Sequence, residues 1–220
     1  QRRQGAGRRL YAAVLQSAYE AQVKTLRVNL RDACPECLAF AERRGFTERR
    51  HLMAMALDLA HFDDRPYEPV IARLQGEGFQ FTTMQALGNT EEAQRKLYCL
   101  NDSTSATTPG SDGEHSWASF EDFQQSVCQS DWYIPGGQMV VIDTQTGAWA
   151  AMSAITRAEG NDYAYNLFTG VDLPYRGRKL AQAVKVLALR YARDVLGATS
   201  VHTHHNTKNL PMIAIDRKLG

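Results

Sequence analysis

Three basic residues, Arg176, Arg178 and Lys179, stand just ahead of a run with apolar residues at helical spacing, namely Leu180, Ala183, Val184, Leu187 and Tyr191. A turn of this kind is suited to hold an anion. The first N–H groups of a helix have no partner within it, and the helix dipole favours negative charge at that end. The two guanidinium groups and the ammonium add full charges at the same place, and a pyrophosphate matches that chemistry. Before the turn, Tyr163 to Val171 is rich in β-branched and aromatic residues and reads as a strand. After the helix, which spans Gly177 to Leu196, Thr199 to His204 reads as a second strand.

Arg176-x-x-Lys179-x-Ala181 resembles the Arg/Gln-x-x-Gly-x-Gly/Ala signature of the GNAT superfamily of acyl-CoA-dependent N-acetyltransferases. Lys179 stands where the first glycine is usual. Asn209 to Gly220 looks like the Asn-containing last helix of that family. The resemblance implies an α/β fold: a mixed, mainly antiparallel sheet with a splayed parallel central strand pair, flanked by helices. It also implies acetyl-CoA as cosubstrate, no metal, and the amine of a small molecule as acceptor. In such folds the splay leaves main-chain groups of the first central strand free to bond pantetheine, and Thr169, Gly170 and Val171 take that place here. Arg176, Gly177, Arg178, Lys179, Leu180 and Ala181 take the place of the pyrophosphate site, and Asn209 that of a hydrogen bond to pantetheine. The proton for the departing thiolate usually comes from a tyrosine of the last helix, and alignment on Gly220 puts Asp216 there. An ionised aspartate cannot donate, so the role asks for a carboxyl whose pKa burial has raised, or for another group.

The general base stays open among Glu159, Asp143, Asp172, the histidines and a water chain. His204 and His205 end the second central strand, near where an acceptor would lie, and His204 or His205 is the candidate for a base or contact facing the substrate, His204 being the one carried into the site. Histidines at a strand end can bind metal, but no carboxylate or cysteine stands at a ligand spacing, so no metal is expected.

The first sixty residues repeat the pattern. Arg2-x-x-Gly5-x-Gly7 is a complete signature that opens a helix through Ala21, with Leu10, Ala13, Val14 and Ala18 on one face. A strand from Thr25 to Leu30 is expected next, then a helix from about Cys34 to Arg44, Gly45-Phe46, and an alternating strand from Arg50 to Leu59. Arg2 and Arg176 lie 174 positions apart and Gly45 and Gly220 lie 175 apart, which reads as a duplicated unit. The resemblance is to two-copy GNAT proteins of the mycothiol-synthase-like branch, shared also in Asn209-x-Pro211-Met212. Residues 1–62 are then the C-terminal half of a first GNAT-like domain and 63–77 a linker with a short helix. Residues 78–220 are a second GNAT domain lacking its last strands, with the chain cut at both ends. Cys34 and Ala41 stand where the second copy has Asn209 and Asp216, so the first copy reads as a structural partner. Its incomplete sheet leaves an edge that something must cover, and a homo-oligomer is one way to cover it.

Between the copies, Tyr67 to Gln75 reads as a short helix; the second copy then opens with Phe79 to Met84 as its first strand. Asn89 or Thr90 caps a helix to about Asn101, Ser103 to Ser116 is a polar loop, which the resemblance to GNAT folds implies borders the acceptor pocket, and Ser119 caps a second short helix. Gln138 to Thr156 is a hairpin turning at Thr144-Gln145-Thr146-Gly147.

The 220 residues are 44% hydrophobic and 22% charged, within the range of globular chains. A net charge of +1 gives no field to attract nucleic acid or an acidic membrane. No apolar run is long enough to span a bilayer, and the start carries no signal-peptide pattern. Four cysteines make no disulfide framework, and the cytoplasm is the default compartment. Cys34-x-x-Cys37 lacks both a second pair for a zinc ribbon and a thioredoxin-type setting, so it reads as structural. Trp117, Phe120, Trp132, Tyr133 and Trp149 have no basic patch beside them and read as core. The expected function is acetyl transfer from acetyl-CoA to an amine by direct attack on the thioester. The alternative is a non-catalytic acyl-CoA sensor or scaffold.

Overall fold

A computed structural model describes residues 4–111, 116–157 and 160–220. The chain divides into two compact units, residues 1–49 and 50–220.

The larger unit is built on one sheet. Its strands are β1 (Leu52–Asp58), β2 (Phe79–Thr83), β3 (Gln138–Asp143), β4 (Trp149–Arg157), β5 (Tyr163–Val171) and β6 (Ser200–Asn206). They lie in the order β1-β6-β5-β4-β3-β2, and every neighbouring pair is antiparallel except β5 with β6. This is the mixed, mainly antiparallel sheet with one central parallel pair that the sequence led us to expect. In β4, Ala150 to Thr156 are all buried, so the strand reads as a continuous run of small and apolar residues instead of alternating.

Helices cover both faces. On one side α6 (Leu180–Asp194) packs Leu180, Ala183, Val184 and Leu189 against Val141, Ala151 and Ile155, with Ile71 and Leu74 of α3 (Glu68–Gly76) in the same cluster. On the other side α4 (Glu91–Ala106) and α5 (Phe120–Phe123) bring Leu97, Leu100 and Phe123 onto Val140 and Met152, with Trp117, Trp132 and Tyr133 around them. Those aromatics are half-buried and pack against the core. The N-caps also stand as read: Thr90 Oγ1 accepts from Ala93 N at 3.3 Å and Ser119 Oγ from Asp122 N at 3.2 Å. α4 runs further than its polar sequence suggests. Its Ser103, Thr104 and Ser105 hydroxyls donate back to carbonyls three or four residues earlier, which satisfies them inside the helix. α7 (Leu210–Leu219) closes the chain.

The sequence pattern assigns strand β1 to residues 1–62. In the structure all seven of its residues pair with β6, from Leu52 opposite Asn206 to Asp58 opposite Ser200. Without it the β6 backbone would be an open edge, and the half-buried Met53, Met55 and Leu57 alternate as a strand with one covered face requires.

The smaller unit holds α1 (Ala6–Glu20) and α2 (Pro35–Glu42). Tyr11 meets the edges of Phe40 and Phe46 at 6.2 Å, and the Arg44 guanidinium lies 3.3 Å from the Phe40 ring centre. Thr25 to Leu30 forms no strand, contrary to the sequence reading. No described strand of this unit is there to pair with it, and Val28 stays 51% exposed. Arg2 and Arg3 lie outside the described residues. α1 and α6 are nonetheless alike: both run 15 residues, and both follow a left-handed residue, Gly5 at φ 78° and Lys179 at φ 72°. Among the described residues no helix is long and apolar enough to cross a membrane.

Candidate active site

The parallel ladder between β5 and β6 is short. Tyr163, Ala164 and Tyr165 pair with Ser200, Val201 and His202, and there the register ends although both strands continue. The cause lies in β5. Its pairing with β4 shifts between Ala154/Phe168 and Ile155/Asn166, so one extra residue, Leu167, is inserted on the β5 side. A bulge bends its strand and ends pairing on the other edge. The two strands therefore separate from Leu167 to Val171. Thr203 Oγ1 still reaches Asn166 O at 3.0 Å, just where the gap begins.

Alternation fixes which backbone groups face this gap. Asp172 N donates to Ala150 O on β4, so the N–H and C=O groups of Val171 and Thr169 point the other way, toward β6. The resemblance groups Gly170 with them, but the same alternation turns its backbone to Met152 of β4. Its glycine has a different reason: a Cβ there would lie 2.5 Å from Thr104 Oγ1 of α4.

The basic turn follows directly. Leu173–Tyr175 is one turn of 3₁₀-helix, Gly177 has φ 81°, and Lys179 caps α6 in the left-handed conformation at φ 72°. That backbone explains why glycine is usual at the Lys179 position, since a side chain there carries a steric cost of about 1–2 kcal/mol. The Lys179 side chain is exposed, and nothing lies within 4 Å of a Cβ built at Gly177. The amides of Leu180 and Ala181 begin the helix, whose first closing bond runs from Ala183 N to Lys179 O. An anion thus has bare donors and room to approach them. Arg176 folds back over the strand end, donating from Nε to Val171 O at 3.0 Å and from Nη2 to Thr107 Oγ1 at 2.5 Å. Arg178 turns to the opposite side, onto Glu77 at 3.0 Å and over the Phe79 ring. The loop after α4 also touches β6, where Asn206 Nδ2 donates to Gly110 O at 3.4 Å.

On the α6 side of the gap, Asp216 of α7 is buried between Lys185 of α6 and His205 of β6, one carboxylate oxygen to each. Burial alone would raise this carboxyl, but the His205 bond and the Lys185 charge together hold it below the usual carboxylate range. Burial pushes the Lys185 ammonium below its ordinary value, opposed by Asp216. A carboxylate held this way has no proton to give at neutral pH. Asn209 caps α7 without a side-chain bond to its first turn.

On the α4 side, the Tyr165 hydroxyl bonds His204 Nδ1, and Tyr163 stacks on His202 with ring centres 4.4 Å apart. Burial and the neighbouring Tyr163 raise the Tyr165 hydroxyl above the ordinary tyrosine range. Asp143, one candidate base, instead accepts from Gln145 N at 2.9 Å and Tyr175 Oη at 3.0 Å, tying the β3–β4 hairpin to the basic turn. Glu159 lies outside the described residues. Sequence reasoning passed over Lys185 and Tyr165. The signal for Lys185 was present: it is the lone cation inside the apolar run Ala181 to Leu189.

No family model matches the sequence, and no curated protein does. Solved structures match it in fold. A GCN5-related N-acetyltransferase from Sphaerobacter thermophilus is 18% identical at a TM-score of 0.67, over 95% of this chain and 61% of its own. A tandem GNAT protein from the clavulanic acid biosynthesis pathway is 21% identical at 0.66, over all of this chain and 67% of its own. A GCN5-related glucosamine N-acetyltransferase region in a fungal multi-domain β-N-acetylglucosaminidase is 13% identical at 0.68, and there the chain spans 26% of that protein. The fold is therefore that of the GCN5-related N-acetyltransferases, with its one parallel strand pair set among antiparallel neighbours.

Proposed function

We propose that residues 50–220 transfer an acetyl group from acetyl-CoA to the amine of a small molecule, by direct attack of the amine on the thioester. One observation carries the reading: the β5–β6 ladder stops after Tyr165, beside a helix N-terminus crowded with Arg176 and Lys179. The Thr169 backbone groups and the Val171 N–H bond pantetheine in the gap, while Val171 O stays with Arg176 Nε, and one of the two N–H groups meets the thioester oxygen as charge develops on it. The amides of Leu180 and Ala181, with Arg176, Gly177 and Lys179, hold the pyrophosphate; Arg178 joins them by leaving Glu77. Asn209 adds a hydrogen bond to pantetheine. The amine approaches from the α4 side, where His204 with Tyr165 accepts its proton. On the opposite side Asp216 serves as the anchor of Lys185 and His205, and these two carry the protons available to the departing thiolate. The likeness of α1 to α6, and of each to the other's position in the repeat, supports a tandem arrangement in the manner of the mycothiol-synthase-like branch.

A second reading, a non-catalytic acyl-CoA sensor, is favoured by the same Asp216, because an ionised carboxylate replaces the usual proton donor. Calorimetry with acetyl-CoA and a thiol-release assay across a panel of amines separate the two. Turnover on any amine supports the transferase, and binding without turnover supports the sensor. Arg176→Ala combined with Lys179→Ala should weaken acetyl-CoA binding, each contact contributing about 1.5–3 kcal/mol. An unchanged Kd would place the phosphates elsewhere and remove the basis of both readings.

A further inference from the structure

Chemistry of a different kind sits in the smaller unit. Cys34 and Cys37 are joined by a disulfide at the N-terminus of α2, with Cys34 as the cap and Pro35 first in the helix. Both residues are only partly buried, and among described residues 4–49 Ala41 alone is fully buried, so the bond is not part of a core. A bridge with two residues between its cysteines takes little freedom from the unfolded chain, because the stabilisation grows with the loop it closes. Stabilising the fold is thus a poor account of it. The position favours a thiolate instead: a helix N-terminus and a Cys-x-x-Cys spacing each lower a thiol pKa. The first turn is arranged for that. Cys37 N and Leu38 N both donate to Cys34 O, at 3.0 and 3.1 Å, and Pro35 has no N–H. In the disulfide the Cys34 side chain makes no cap bond, so the Glu36 amide is left as the first-turn donor open to a charge on the Cys34 sulfur, against the Glu36 carboxylate in the same turn.

We propose that Cys34 and Cys37 form a thiol–disulfide exchange site whose partners are low-molecular-weight thiols and their disulfides. In the oxidising direction the Cys34 thiolate attacks a disulfide RSSR, forming a mixed disulfide and expelling one thiolate RS⁻. That thiolate takes the proton of Cys37, whose sulfur then attacks Cys34 Sγ. The second RS⁻ leaves and is protonated as the Cys34–Cys37 bond closes. Two RSH are produced, two electrons pass from the protein to RSSR, and the reverse sequence reopens the bond. No residue of 50–220 takes part, so the site does not depend on the acyl-transfer reading. The other two cysteines serve as internal references: Cys99 is exposed, and burial pushes the Cys128 thiol up to about 11.

The test uses the whole chain in buffers of reduced and oxidised glutathione at graded ratios, quenched with acid, labelled with a maleimide and read by peptide mass spectrometry. One step exposing both thiols of the Cys34–Cys37 peptide is expected while circular dichroism stays native. In Cys37→Ser, oxidised glutathione should form a mixed disulfide on Cys34 on the order of tenfold faster than on Cys99. A bond that opens only when denaturant unfolds the protein overturns the proposal, as does a Cys34 thiol no faster than Cys99. Should Cys37→Ser fail to fold, the wild-type titration decides alone: native opening supports the site and its absence removes it.

Discussion

Lys185 and Asp216 have side chains 4% and 8% exposed and face each other inside the fold, with His205 on the second carboxylate oxygen. Two buried charges hold together only as a pair, and removing one leaves the other stranded. Asp216→Asn should therefore destabilise the protein by about 3–5 kcal/mol, read from urea unfolding, while Lys185→Met combined with Asp216→Leu should recover most of that. The pH dependence has a definite sign. Asp216 has a folded pKa below its unfolded value, so its contribution is fully present above about pH 4 and is lost as pH falls through the folded value. The acid limb of stability should flatten in Asp216→Asn, and an unchanged limb would mean that other carboxylates set it. At the basic turn the two arginines differ in what they must leave. Arg176 is engaged with neutral oxygens and Arg178 with the Glu77 carboxylate. Arg176→Ala should accordingly cost more acetyl-CoA affinity than Arg178→Ala when both are measured by calorimetry.

At the scale of elements, the site depends on how closely α4 approaches β5. Gly170 allows that approach, because a Cβ would stand 2.5 Å from Thr104 Oγ1 and 2.7 Å from the Phe168 ring. Gly170→Ala should destabilise by about 1–3 kcal/mol, as other insertions into packed cores do. The inserted Leu167 in β5 has a matching role in the backbone, since it ends the parallel ladder and turns Thr169 and Val171 toward the gap. No residue type marks that insertion. The stretch Tyr163 to Val171 reads as an uninterrupted strand, and the bulge exists only in relation to β4.

For the molecule as a whole, the partner of β6 is decisive. β1 precedes it by well over a hundred residues, yet the two pair over seven rungs, and Leu59 N and Thr207 N continue the bonding at either end. Alternation from Leu59 places the Met55 N–H in this ladder, so Met55→Pro should cost about 1–3 kcal/mol through an unmade bond. Hydrogen exchange should show β1 amides protected together with those of β6, while amides of residues 25–30, which form no strand, exchange rapidly.

The amino-acid order alone determined much of this. Helical spacing after Arg178, the β-branched and aromatic run from Tyr163 to Val171, and caps at Thr90 and Ser119 are local signals, and local physics reads them correctly. The basic turn and its helix were legible for the same reason, as was the pattern of one parallel pair through its likeness to a known family. Tertiary structure decided what depends on distant neighbours. Thr25 to Leu30 has strand composition but no described partner in its unit, and Leu52 to Asp58 found its partner across the chain. Asp216 could be named from alignment, but its ionised state comes from Lys185 and His205, which only packing brings to it, because a charge in a buried place takes its pKa from whatever lies within a few ångströms.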